Sequence, residues 1–209
     1  KEVLEMMLNN REAIGTSCSI FDASHSDYES SVFADAIQEV NLRQKDDVGF
    51  VRDAEAHFNY TFERLIDHYL ENKDYVKAMD TAERALPIAK GFYKTDVLEK
   101  LSRAQKGMGR KGDAFANMLL AFKSRPSLES YRKLRALGDQ KTWQIMRRET
   151  LKSMEDSALS EVVLIDILAL EEDISGLEAI LSKLENKGQS YDRLFYESHL
   201  ARIAQVLSR

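Results

Sequence analysis

Glycine and proline are scarce in this chain: 9 and 2 among 209 residues, about 5% together where roughly 12% is usual. So few turn-formers cannot supply the closely spaced tight turns of a β-sandwich or barrel, which points to helices. No stretch sustains an alternation of period two, so no sheet is expected. An apolar fraction of 44% over this length is enough for a buried core. The single cysteine, Cys18, excludes a disulfide framework and, with four histidines, a cysteine-rich zinc site. No apolar run approaches the roughly 18 residues of a membrane span, and no signal-peptide pattern opens the chain. The expectation is a soluble protein of a reducing, cytoplasmic compartment. The chain opens on Lys1 rather than methionine, as a piece of a longer protein would.

The net charge of -5 conceals a strong asymmetry. Residues 1–90 carry 10 basic and 18 acidic side chains, residues 91–154 carry 15 and 6, and residues 155–209 carry 5 and 11. A basic belt therefore lies between two acidic thirds. Its field would attract an acidic peptide or a nucleic acid, or it would simply be a solvated face between negative neighbours.

Apolar spacing gives the helices. Leu4, Met7 and Leu8 mark a short first helix, and residues 15–27, rich in Ser, Thr, Gly and Asp, read as a loop. Tyr28, Val32, Phe33, Ala36, Ile37 and Val40 recur at helical spacing. Asp46 and Asp47 are candidate N-caps for a helix running to about Asn72, with Phe50, Ala54, Phe58, Phe62, Leu65, Ile66 and Tyr69 on one broad face. From Phe62 the sequence repeats weakly. Ala78, Ala82, Ala85 and Leu86 follow a turn at Asp74. Ala114, Met118, Ala121 and Phe122 follow a turn at Gly109–Gly112, 36 residues on. Antiparallel helices joined by a short turn approach closely only where side chains are small, so alanine at the crossing has a physical reason. Two more degenerate units follow: Leu128, Tyr131 and Leu134 with Trp143, Met146, Leu151 and Met154, then Val162, Ile165 and Leu168 with Leu177, Ile180 and Leu184. A last helix carries Leu194, Phe195, Leu200, Ile203 and Val206.

Leu65, Tyr69, Asp74, Tyr75, Ala78, Ala82 and Ala85 resemble the tetratricopeptide pattern of an aromatic-bearing first helix, a tight turn and a second helix with small residues. In the second unit Gln105 replaces the expected tyrosine, and Pro87 sits earlier than the family's closing proline. The stretch from Phe122 to Leu134, followed by Trp143, is similar to the helical region that accompanies the SWIM zinc finger in bacterial proteins. The finger's own Cys-x-Cys and Cys-x-His pairs cannot be made from one cysteine, so its zinc does not carry over. These resemblances imply an all-α fold of about five hairpins or half-hairpins, stacked as a right-handed α-α solenoid. Residues 1–48 are expected to form N-terminal helices packing on a repeat domain of residues 49–209, in one continuous domain.

Candidate chemistry is thin. Asp22, His25, Asp27 and Glu29 crowd one predicted loop but lack the glycine and ligand order of a calcium site, and read as a solvated acidic loop. His57 and His68 are eleven residues apart, about 16 Å along a helix and too far to serve one centre. Cys18 has no adjacent base, and Gly107, Gly109 and Gly112 are turn residues rather than a phosphate loop. No enzyme, cofactor or metal is expected. The tetratricopeptide resemblance instead implies a partner-binding groove on the first helix of each hairpin: Tyr60, Glu63 and Asp67, then Glu99, Lys100 and Arg103, then Arg132 and Arg135. Glu63 and Asp67 stand where the family's carboxylate clamp has lysine and asparagine, so chaperone tails are not the expected ligand. A protein or peptide segment with an acidic stretch is. The alternative partner is nucleic acid, held by the belt from Lys94 to Lys152.

Overall fold

A computed structural model describes residues 23–152, 154, 158–186, 204 and 206. The described residues form ten helices and no strand. These are α1 (Ala23–Gln44), α2 (Asp47–Ala56), α3 (Phe58–Glu71), α4 (Tyr75–Ala85), α5 (Gly91–Gly107), α6 (Lys111–Ser124), α7 (Leu128–Arg135), α8 (Gln140–Lys152), α9 (Ala158–Leu170) and α10 (Ile174–Asn186). They fall into two compact units, Lys1–Ile88 and Ala89–Arg209. The boundary expected at residues 48/49 lies within α2. In the first unit α1 packs on α2 and α3, and α3 on α4; in the second, α5 packs on α6, α6 on α7, α7 on α9 and α9 on α10.

Four of the connections share one turn. Lys45, Lys73, Gly109 and Glu172 all have left-handed backbones, with φ of 55°, 58°, 78° and 54°. The next residue sends its N–H back five positions: Asp46 to Asn41 O, Asp74 to Tyr69 O, Arg110 to Gln105 O and Asp173 to Leu168 O, at 2.9–3.0 Å. This double closure of the last helical turn stops one helix and starts the next within two or three residues. Asp46, Asp74 and Asp173 then cap the new helix, each carboxylate accepting the backbone N–H three residues on, from Gly49, Lys77 and Gly176. Arg110 occupies the same place in the third turn and cannot accept; it pairs with Asp113 at 2.8 Å instead.

The shared turn sets the register of each hairpin, so that residues twelve apart face each other across it. In α5/α6 the Ser102 hydroxyl donates to Ala114 O at 2.6 Å, and Asn117 Nδ2 donates to Gln105 Oε1 at 2.9 Å. In α1/α2 Gln38 Nε2 donates to Phe50 O, and Asn41 Nδ2 to Asp53 Oδ2, both at 3.1 Å. The equivalent positions of α3/α4 are Ile66 with Ala78 and Tyr69 with Thr81, and of α9/α10 Ile165 with Leu177 and Leu168 with Ile180, all buried. Gln105 is thus half of a cross-helix pair whose other half is Asn117. Ala78, Ala82, Ala85, Ala114 and Ala121 have no exposed surface, and Met118 and Phe122 are buried beside them.

Two expectations need correction. The helix foreseen from Asp46 or Asp47 to Asn72 is broken at His57, whose φ of -117° and ψ of 34° leave the helical region. Thr61 Oγ1 reaches back to Ala54 O at 2.7 Å and His57 O at 3.0 Å, occupying carbonyls at the break. Residues 23–27, read as loop, belong to α1, with Ser24 and Ser26 in a first helical turn, where serine is well tolerated. The first short helix at Leu4 to Leu8, Cys18 and most of the last helix lie outside the described residues.

The turn can be tested at two positions. Gly109 has open space where a Cβ would go, so Gly109→Ala should cost about 1 kcal/mol through its backbone alone. Lys73→Gly should gain up to about 1 kcal/mol for the mirror-image reason. Urea denaturation followed by helical circular dichroism reads both, and equal midpoints for the three proteins would contradict the shared turn.

Candidate functional site

α7 organises the surface of the second unit. Pro126 ends the preceding segment, and Ser127 opens the helix with a capping box: its Oγ accepts from Ser130 N at 3.0 Å, while Ser130 Oγ accepts from Ser127 N at 3.1 Å. Glu129 in the first turn and Arg132, Lys133 and Arg135 in the last complement the helix dipole. Tyr131 and Leu134 face inward with no exposed surface.

Outward, Lys133 Nζ lies 2.8 Å from both Glu99 Oε2 on α5 and Glu129 Oε1. Its hydrogen bond, and then its charge, hold the Glu129 carboxyl below the ordinary range. Arg103 is one turn beyond Glu99 on the same face of α5. Arg103 and Arg132 are exposed and stand in no ion pair among the described residues. Lys100 is half-buried and engaged. Arg135 reaches Glu171 Oε1 at 3.6 Å. Five of the eight groove residues foreseen in the sequence therefore lie on two helices of one unit, and Lys133 bridges those helices. The other three, Tyr60, Glu63 and Asp67, share a face of α3 in the first unit; Tyr60 is exposed, Glu63 and Asp67 are half-buried, and all three are engaged. The acidic members do not present free carboxylates, and Glu99 is matched by a lysine.

A second cluster carries no sequence signature. Glu171, at the end of α9, accepts from the Tyr131 hydroxyl at 2.6 Å through Oε1 and from Arg147 Nε at 2.6 Å through Oε2. Arg147 Nη2 also donates to Asp173 Oδ2 at 2.8 Å. Tyr131 stands edge-on to Trp143, with ring centroids 5.2 Å apart. Burial, with Glu171 adding to it, pushes the Tyr131 phenol well above its ordinary range. Asp173 is held below the usual carboxylate range by Arg147 and by the Gly176 N–H. Arg147 is held more firmly protonated: burial opposes its charge, but Asp173 and Glu171 outweigh that. Every polar group in the cluster has a charged or hydroxyl partner, so the cluster fastens α7, α8 and the α9–α10 turn to one another.

The remaining candidates stay apart. His57 Nδ1 lies 3.1 Å from Asp53 O, and His68 lies against the Phe50 ring at 4.7 Å with Nε2 3.2 Å from Asn72 Nδ2. The side chains of the Asp22–Glu29 group lie outside the described residues. Among the described residues no three His, Cys, Asp or Glu side chains gather closely enough to hold a metal ion, and no helix is long and apolar enough to cross a membrane. Comparison of the chain with protein-family models, with curated proteins and with solved structures finds no match.

The Tyr131–Glu171–Arg147–Asp173 cluster makes three linked predictions. Arg147→Met removes the guanidinium from Glu171 Oε2 and leaves this carboxylate, only 10% exposed, with Tyr131 and the more distant Arg135 on Oε1, which should cost about 2–3 kcal/mol in urea denaturation. Because the Asp173 pKa is depressed on folding, its contribution is present at neutral pH and lost as pH falls below about 4. Asp173→Asn keeps a good helix cap and should flatten that acid limb. Because the Tyr131 pKa is raised on folding, its contribution is lost as pH climbs past about 10, and Tyr131→Phe should flatten that alkaline limb.

Proposed function

We propose that this chain is a non-enzymatic, tetratricopeptide-like scaffold of stacked helical hairpins, and that the outward surface of α5 and α7 binds an acidic segment of a protein partner. The repeated turn and the buried alanines after it support the hairpin reading. The charge balance on that surface carries the binding reading: Glu99 and Glu129 are both taken up by Lys133, which leaves Arg103 and Arg132 exposed with no carboxylate opposite. Stiff helices carrying such a row offer an extended ligand many charge-assisted contacts at little ordering cost. The likeness of residues 122–134 to the SWIM-associated helical region adds a scaffold role to the same reading.

Fluorescence anisotropy with a labelled peptide of alternating aspartate and glutamate tests it. Binding of about 10–100 µM at low salt is expected, weakening as salt rises. The double change Arg103→Glu with Arg132→Glu should weaken it at least about tenfold without altering the helical spectrum. Tighter binding of a single-stranded oligonucleotide of equal charge would overturn the protein-segment reading in favour of nucleic acid.

A further inference from the structure

We infer that the cleft at the C-terminal ends of α5 and α7 is an anchor pocket for one apolar side chain of that acidic segment, an inference that rests on the binding surface proposed above. The cleft has a volume of about 390 Å³, at the small end for ligand pockets. Phe115 and Leu137, both half-buried, give it an apolar lining, and Lys106 and Lys111 line it with charge. Asp139 is its one acidic lining residue, so the lysines leave the cleft net positive.

Two glycines show how the cleft is kept. A Cβ on Gly138 would come within 3.1 Å of the Phe115 ring and 3.5 Å of Trp143 Cβ, so the backbone there closes tightly against the wall. A Cβ on Gly112 would meet nothing within 4 Å, so on that side the cleft is open.

Position along the helices ties the cleft to the charged row. Glu99, Arg103 and Lys106 follow one another at intervals of four and three on α5 and share a face. Ala136, the residue that caps the end of α7, comes four residues after Arg132 and also lines the cleft. A segment lying along Arg103 and Arg132 therefore meets the cleft at the helix ends. Lysines beside an apolar lining select an apolar side chain with carboxylates next to it, since an isolated apolar ligand would leave the ammonium groups without a counter-charge and a uniformly acidic one would leave Phe115 and Leu137 wet.

The experiment uses the full chain and two labelled peptides, one of aspartate and glutamate with a single central phenylalanine, the other with glycine in its place. The phenylalanine peptide should bind about tenfold more tightly. Gly112→Gln extends a neutral side chain into the open side of the cleft, and glutamine is a better helix former than glycine, so the fold is kept. It should abolish the phenylalanine preference and leave the glycine peptide unaffected. Lys106→Ala with Lys111→Ala should weaken the phenylalanine peptide more than the glycine one. Equal affinity of the two peptides for the unaltered chain, or a preference that survives Gly112→Gln, overturns the anchor pocket while the acidic-segment reading stands. If neither peptide binds, both fall.

Discussion

Four of the hairpins rest on the same backbone closure: a residue in the left-handed region, followed by an N–H that returns to the carbonyl five positions earlier. That closure leaves the chain no length in which to drift, so the second helix must fold back against the first. Residues seven and four before the left-handed residue then oppose residues five and eight after it. At that crossing a side chain has to be small, has to interlock, or has to bond across. Ala78 takes the first course, the Ile165, Leu168, Leu177 and Ile180 set the second, and Ser102 with Ala114 and Gln105 with Asn117 the third. Of the buried polar side chains at the α1/α2 and α5/α6 crossings, Asn41, Asp53, Ser102 and Gln105 all have partners, whereas Gln38 bonds through Nε2 alone and its buried Oε1 accepts nothing among the described residues, at a cost of about 1–3 kcal/mol.

The α7/α8 connection lacks this closure. Leu137 and Gly138 both return to Leu134 O, and neither has a left-handed backbone. α7 has only eight residues, too short to hold its place by its own hydrogen bonds. Side chains from elsewhere replace what the turn does in the other hairpins. Tyr131 passes through the core between Phe122 and Trp143, and its hydroxyl reaches Glu171 at the far turn. Arg147 spans Glu171 and Asp173 from α8. A carboxylate as enclosed as Glu171 is costly to desolvate, and this one is tolerated because it accepts from a phenol and a guanidinium at 2.6 Å. Asp173 has two roles at once, since the same carboxylate caps α10 and anchors Arg147.

Local features of the fold were legible in the sequence, and distant ones were not. The buried alanines, the turns at Asp74 and Gly109, and the helix beginning at Leu128 all follow from spacing within about ten residues. The break at His57 was hidden because the apolar face of residues 50–69 continues through it, while the hydroxyl of Thr61 that takes up the carbonyls there leaves no mark on periodicity. The cluster around Glu171 joins residues 24 to 40 positions apart, and no local pattern encodes such a pairing. The pairing of Gln105 with Asn117 is intermediate: polar residues placed symmetrically about a turn, twelve apart, are a readable signal once the turn is located. The positions expected to line a groove lie on helices, but their ion pairs were not legible, because Lys133 and Glu99 are brought together only by packing.

The basic belt shows why a count of charges says little about a surface. Arg125 is paired with Asp96, Arg110 with Asp113, Lys133 with two glutamates, and Arg147 with two more carboxylates. Those cations are held by the fold's own anions, and their fields largely cancel beyond a Debye length of about 10 Å. Lys123 on α6 and Lys141 and Arg148 on α8 are exposed cations too; what distinguishes the surface of α5 and α7 is that Arg103 and Arg132 there are joined by Lys106 and Lys111 beside the apolar surface at the helix ends. Unpaired charge acts at long range and sets how fast and in what orientation an acidic segment arrives. Apolar enclosure acts at contact and sets how long it stays. A surface with the first property alone would bind any polyanion weakly and release it with salt, whereas the two together would select among acidic sequences. In the proposed reading the charge on α5 and α7 and the apolar cleft at their ends act together, so selectivity would be a matter of spacing between a carboxylate and its apolar neighbour rather than of total charge.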